Sequence, residues 1–146
     1  MRYLPLLLLI AATGCAPTFA PGDEIRGALA EGDQTTADGY VVDDHRLRLP
    51  AGPAVLLTVT AEAYDPFIVL ASGDKRLGQS TGEAGQRPAC VTVDPVEGEA
   101  LDLFVSSGIE DGLAYGPYVV SMEPATAERI DALLCLPTSR DAPPGG

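Results

Sequence analysis

Between Ile25 and Met122, apolar and polar side chains alternate with a period of two over most of the chain. That is the spacing of strands with one face on a core and the other toward water. The pattern predicts strands over Ile25–Leu29 and Tyr40–Leu49, the second clearest where Leu47 and Leu49 alternate with Arg46 and Arg48. Val55, Leu57, Val59 and Ala61 alternate with Leu56, Thr58, Thr60 and Glu62, which predicts a half-buried third strand. Phe67–Ala71 is an unbroken apolar run, which predicts a strand buried on both faces. Cys90–Val93, Leu101–Val105 and Tyr118–Met122 complete the series. The polar, Gly-rich stretch Ser72–Gln86 reads as loops with a small strand near Leu77. Turn signals separate the runs, Pro50-Ala51-Gly52-Pro53 being the plainest. About seven to eight short strands divided in this way predict an all-β fold, an antiparallel β-sandwich of the jelly-roll kind, over residues 23–123.

The period changes after Pro124. Ile130, Leu133 and Leu134 fall at helical spacing, so Thr126–Leu136 reads as a short helix with Thr126 as N-cap and Cys135 near its end. Pro137 stops it, and Thr138–Gly146 reads as a disordered tail, so 124–146 is a helix plus tail.

The first residues follow another logic. Met1-Arg2-Tyr3 carries one positive charge, and Leu4–Ala12 is almost wholly apolar. This run is far shorter than the ~20 residues a membrane-spanning helix needs, and has the length of a signal-peptide core. Ala12-Thr13-Gly14-Cys15 then resembles the lipobox of bacterial lipoproteins, although that family prefers Leu where Ala12 stands. The resemblance implies a signal peptide over 1–14, lipid on the Cys15 thiol and on the new amino end, and attachment to the membrane of the cell envelope. Several acyl chains anchor stably where one binds only marginally. Ala16, in place of the Asp that retains Gram-negative lipoproteins at the inner membrane, implies the outer membrane if the source is Gram-negative. Residues 15–22 then read as a lipidated, semi-extended tether reaching about 27 Å. Phe19 within it has either lipid or the domain to dock on.

Export bears on the cysteines. With Cys15 assigned to lipid, Cys90 and Cys135 remain, in a compartment that permits disulfides. The expected pairing is Cys90–Cys135, the alternative being two buried free thiols. Composition narrows the partners. The net charge is −12 and Lys75 is the only lysine, so phosphate-rich nucleic acid is excluded as a partner. The same charge opposes adhesion to anionic lipid, so attachment must come from the anchor. Trp is absent and aromatics make up 5%, which requires an aliphatic core.

Four pieces between Ile25 and Met122 are similar to the bacterial pre-peptidase C-terminal domain. They are Arg26-Gly27-Ala28-Leu29 followed by Gly32-Asp33; Asp44-His45-Arg46-Leu47-Arg48-Leu49 leading to Ala51-Gly52; Tyr64-Asp65-Pro66-Phe67-Ile68-Val69-Leu70; and Tyr115-Gly116-Pro117-Tyr118-Val119-Val120. The resemblance implies a small β-sandwich. The family often carries an acidic, calcium-serving cluster after the buried strand, where Gly73–Gln86 has only Asp74 and Glu83. It usually follows a secreted peptidase, and none accompanies it here, so the expectation is a domain standing alone on its anchor.

Candidate chemistry is sparse. Asp43, Asp44, Asp65 and Asp74, with Asp33 and Asp38, could supply oxygen ligands to calcium, though their spacing fits no EF-hand loop. No other cofactor is expected. His45 is the only histidine; a catalytic base would need a nucleophile and an orienting group, and between Asp44 and Arg46 on a strand it reads as a surface or rim residue instead. Two carboxylates such as Asp43 and Asp65 would suit glycoside hydrolysis, but no Trp is present to stack sugar rings. No Gly-rich phosphate loop supports nucleotide binding. The expectation is a non-enzymatic, lipid-anchored envelope sandwich that binds or scaffolds protein or glycan. The alternatives are a calcium-stabilised structural module and, more weakly, an envelope hydrolase.

Overall fold

The computed structural model describes residues 16–36, 39–107 and 115–140. Among these residues nine strands and one helix form in the order β1 (Glu24–Leu29), β2 (Val42–Leu47), β3 (Val55–Ala61), β4 (Pro66–Ser72), β5 (Lys75–Thr81), β6 (Ala89–Val93), β7 (Leu101–Ser107), β8 (Gly116–Pro124), α1 (Ala127–Leu133) and β9 (Leu136–Pro137). They make two sheets, ordered β1-β8-β3-β6-β9 and β2-β7-β4-β5. All pairings are antiparallel except β6 with β9. Strands β1 to β8 thus wind between two four-stranded layers as a jelly roll, as the alternation predicts.

Alternation places one set of side chains between the sheets. Leu57 and Val59 of β3, Ile68 and Leu70 of β4, Leu103 and Val105 of β7 and Val120 of β8 are fully buried there. Each such side chain contributes about 1.5–3 kcal/mol by leaving water. The aromatics in this interior are Tyr64 and Tyr118, so the core is aliphatic apart from these two rings and the edge of Phe19. β3, expected to be half-buried, is buried on both faces except at Thr60, because α1 and the neighbouring segments cover its outward side. Its outward Leu56 packs with Cys90, Cys135, Ile130 and Leu133 under α1. Thr126 caps that helix, its hydroxyl accepting from the Arg129 N–H at 3.3 Å.

Several elements depart from the sequence reading. Ser72–Gln86 holds a full seven-residue strand, β5, instead of loops with a small strand. Its alternation is disguised by a register shift opposite Leu70/Ala71 and by a polar inward residue, Ser80, whose hydroxyl accepts the Cys90 N–H at 3.0 Å. The helix ends at Leu133, short of Leu136, because Leu134 turns left-handed (φ 56°) and leads Cys135 out of the helix. Thr138–Arg140, expected in a disordered tail, are held on the body. Thr138 N–H donates to Thr92 O at 3.1 Å, Ser139 N–H to Leu77 O at 2.8 Å, and Arg140 pairs with Glu99. Residues 17–22 are likewise laid along the domain rather than forming a free tether. Phe19 N–H donates to Arg48 O at 2.9 Å, Gly22 N–H to Met122 O at 2.8 Å, and the Phe19 ring packs on the core. The expected signal peptide (residues 1–14), Cys15, Asp38 and residues 141–146 lie outside the described residues.

Candidate functional site

The two open sides of the sandwich are closed differently. On one side Cys90 and Cys135 stand at disulfide distance, their Cα atoms 4.7 Å apart. The chain beyond them runs along β6 as β9 and then reaches β5. On the other side β2 turns Asp43 and His45 inward, two residues apart on one face. Tyr118 crosses from β8 to meet both. Its hydroxyl donates to Asp43 Oδ2 at 2.7 Å and is in hydrogen-bond contact with His45 Nε2. The phenol has one proton and gives it to Asp43, so Nε2 must carry the other hydrogen and donate to the phenol oxygen. Tyr64 lies close by, its hydroxyl donating to Gly116 O at 3.2 Å. Burial and then the Asp43 carboxylate, which accepts the phenol's hydrogen bond, hold Tyr118 protonated far above the ordinary tyrosine range. Burial and Asp43 do the same for Tyr64. His45 is therefore half-buried in a cross-sheet polar bridge, not a solvent-facing rim residue.

The outward face of the β2-β7-β4-β5 sheet carries the more open feature. Phe67 and Val69 of the run read as doubly buried point outward and are only half-buried. Register sets Phe67 beside Ser106 and Val69 beside Phe104, with Val42 across from Ser106 on the other side. These side chains floor a groove of about 580 Å³. One wall is the segment 34–36 folded back on 40–42, through Thr36 N–H to Tyr40 O and Val42 N–H to Gln34 O, each at 2.8 Å. The other is the Gly73-Asp74 turn with Arg76. An apolar, aromatic floor ringed by hydroxyl, amide and a few charged groups is the usual make-up of a binding site. A second depression, about 750 Å³, lies beside α1, but its Arg129 and Glu123 already pair with each other at 3.1 Å.

The four carboxylates considered for calcium are not gathered. Asp43 faces inward to Tyr118, and Asp44, the next residue, faces the groove side. Asp65 accepts the Ala84 N–H at 2.7 Å, and Asp74 sits on the β4–β5 turn. Among the described residues no three His, Cys, Asp or Glu side chains stand together as metal ligands. Strand geometry is the reason, since neighbouring residues point to opposite faces. Sequence reasoning missed the groove itself. One signal was present: Phe104 occupies the outward phase of β7, between Asp102 and Ser106.

This architecture places the chain among antiparallel jelly-roll sandwiches. Among solved structures it is similar to the pre-peptidase C-terminal domain of a collagenase from Bacillus anthracis, with a TM-score of 0.51 and 17% identity over 74% of this chain and 94% of that one. The fold is thus that of a pre-peptidase C-terminal-like domain, as the four sequence pieces predict. No protein-family model matches the sequence, and no curated protein matches it.

Proposed function

We propose that this protein is a non-enzymatic binding module of the bacterial cell envelope, anchored by lipid on Cys15 and holding a protein or glycan partner on the outer face of the four-stranded sheet. The groove floored by Phe67, Val69 and Phe104 carries the reading, because half-buried aromatic side chains that could have joined an aliphatic core instead face solvent. A role in binding rather than catalysis is supported by His45, the chain's one histidine, which is engaged by Tyr118 on the opposite face of β2 from the groove. The anchor rests on the Ala12-Thr13-Gly14-Cys15 sequence, and no described helix is long and apolar enough to cross a membrane.

Cell fractionation tests the anchor, and affinity capture tests the groove. Wild-type protein should partition with membranes and Cys15→Ser protein should not. Cross-linking in envelope preparations should recover a partner that Phe104→Asp loses. A Cys15→Ser protein that stays with membranes removes the anchor, and capture unchanged by Phe104→Asp removes the groove.

A further inference from the structure

We propose that the groove takes an extended polypeptide segment in which apolar and basic side chains are interspersed. This rests on the reading of the groove as a binding site and names its ligand chemistry.

Extension follows from the floor. Its apolar contacts come in rows two residues apart along the strands: Val42 and Phe67 flank Ser106 in one row, Val69 and Phe104 stand side by side in the next. An extended segment laid along the strands presents every second side chain at the same interval, roughly 7 Å. The floor is recessed between the wall of residues 34–36 and 40–42 and the Asp74 turn, which suits inserted side chains better than a flat surface.

Charge sets the sign. The chain carries −12, so it draws cationic partners and repels acidic ones, including its own copies. Beside the groove Arg46 is paired with Asp102 at 3.6 Å, while Arg76, on the groove's turn wall, donates to the neutral Gln79 at 2.9 Å. Asp44 is Phe104's cross-strand partner, and among the described residues no cation lies within ion-pair distance of it. Burial and then the neighbouring Asp102 raise the Asp44 pKa, against His45 and Arg46, which lower it. Asp44 thus stands at the groove's edge beside Phe104, and Asp74 lies with Arg76 on the turn wall. A Lys or Arg side chain entering here meets an aromatic ring and a carboxylate together, the pairing that favours cations.

The test uses the purified protein and a fluorescently labelled short peptide of alternating Lys and Leu, read by anisotropy. An alternating Glu and Leu peptide and a neutral chito-oligosaccharide are the controls. The expected result is saturable one-to-one binding of the Lys peptide, at least tenfold tighter than the Glu peptide and weakened by salt. Phe67→Ser and Phe104→Ser should each weaken it about tenfold. Asp44→Asn, which keeps the side chain's size and removes its charge, should weaken it about threefold. Absence of saturable binding, equal affinity for the Glu peptide, or affinity untouched by Asp44→Asn and the Phe variants overturns the proposal. Phe104-dependent binding of the oligosaccharide alone also overturns it while leaving the groove a binding site. If no probe binds and Phe104→Asp does not alter capture from envelopes, the binding-site reading falls as well.

Discussion

Gly27 and Tyr118 face each other across the β1–β8 ladder, and the tyrosine ring fills the space a side chain at 27 would need. A Cβ there would stand 2.5 Å from both Cζ and Oη of Tyr118. The glycine lets the ring lie flat over the edge strand and carry its hydroxyl to β2 in the other sheet. Gly27→Ala should therefore displace the ring and lower stability by about 1–3 kcal/mol, read from the midpoint of denaturant unfolding. An unchanged midpoint would show that the ring moves without cost.

Removing the hydroxyl tests the bridge itself. Tyr118→Phe leaves Asp43 and His45 facing inward without their shared partner, with an expected loss of about 1–3 kcal/mol. In a double-mutant cycle with Asp43→Asn the two losses should not add, since both remove one interaction. Additive losses would mean that the hydroxyl and the carboxylate act separately.

Alkaline pH probes the same tyrosines. The folded-state values of Tyr64 and Tyr118 lie above the ordinary 10.0, so the folded chain binds these protons more tightly than the unfolded one. Their contribution is complete below pH 10.0 and is lost as pH rises beyond it. Tyrosinate absorbance should show these two rings ionising only together with unfolding. A smooth titration of every tyrosine near pH 10.0 in folded protein would refute this.

Asp44 carries the opposite implication for a carboxylate. Its folded pKa is raised by burial and then by Asp102, outweighing His45 and Arg46, so ionising it disfavours the folded state. Its favourable contribution is complete below the ordinary 3.8 and is lost as pH rises through the folded value. Asp44→Asn should thus raise the melting temperature slightly near neutral pH and leave it unchanged in acid. A variant less stable than wild type near neutral pH would show a favourable contact made by the charge.

The Cys90–Cys135 pair closes a 45-residue separation, worth on the order of 4 kcal/mol in the chain-entropy view. Reduction, or Cys135→Ser, should lower stability by up to that amount and speed hydrogen exchange at the Thr138 and Ser139 amides, which the strap donates to Thr92 and Leu77. Mass spectrometry of unreduced protein should find the two cysteines linked. Free thiols there would remove the clasp from the fold.

What the amino-acid order determined alone was the set of local, periodic features. Alternation at Leu47/Leu49, Val55–Ala61 and Leu101–Val105 announced strands, Thr126 announced a helix start, and the ordered pieces from Arg26 to Val120 announced the sandwich. Each is legible because strand and helix geometry repeats over a few residues. What the tertiary structure decided depends on contacts far apart in sequence. β5 is recognisable only once Ser80 meets Cys90. The Asp43–Tyr118 bridge joins residues 75 apart. The apolar run Phe67–Ala71 looked doubly buried because hydrophobicity does not say what covers a face. No element of the described chain packs over Phe67, Val69 and Phe104, and that uncovered face became the candidate site.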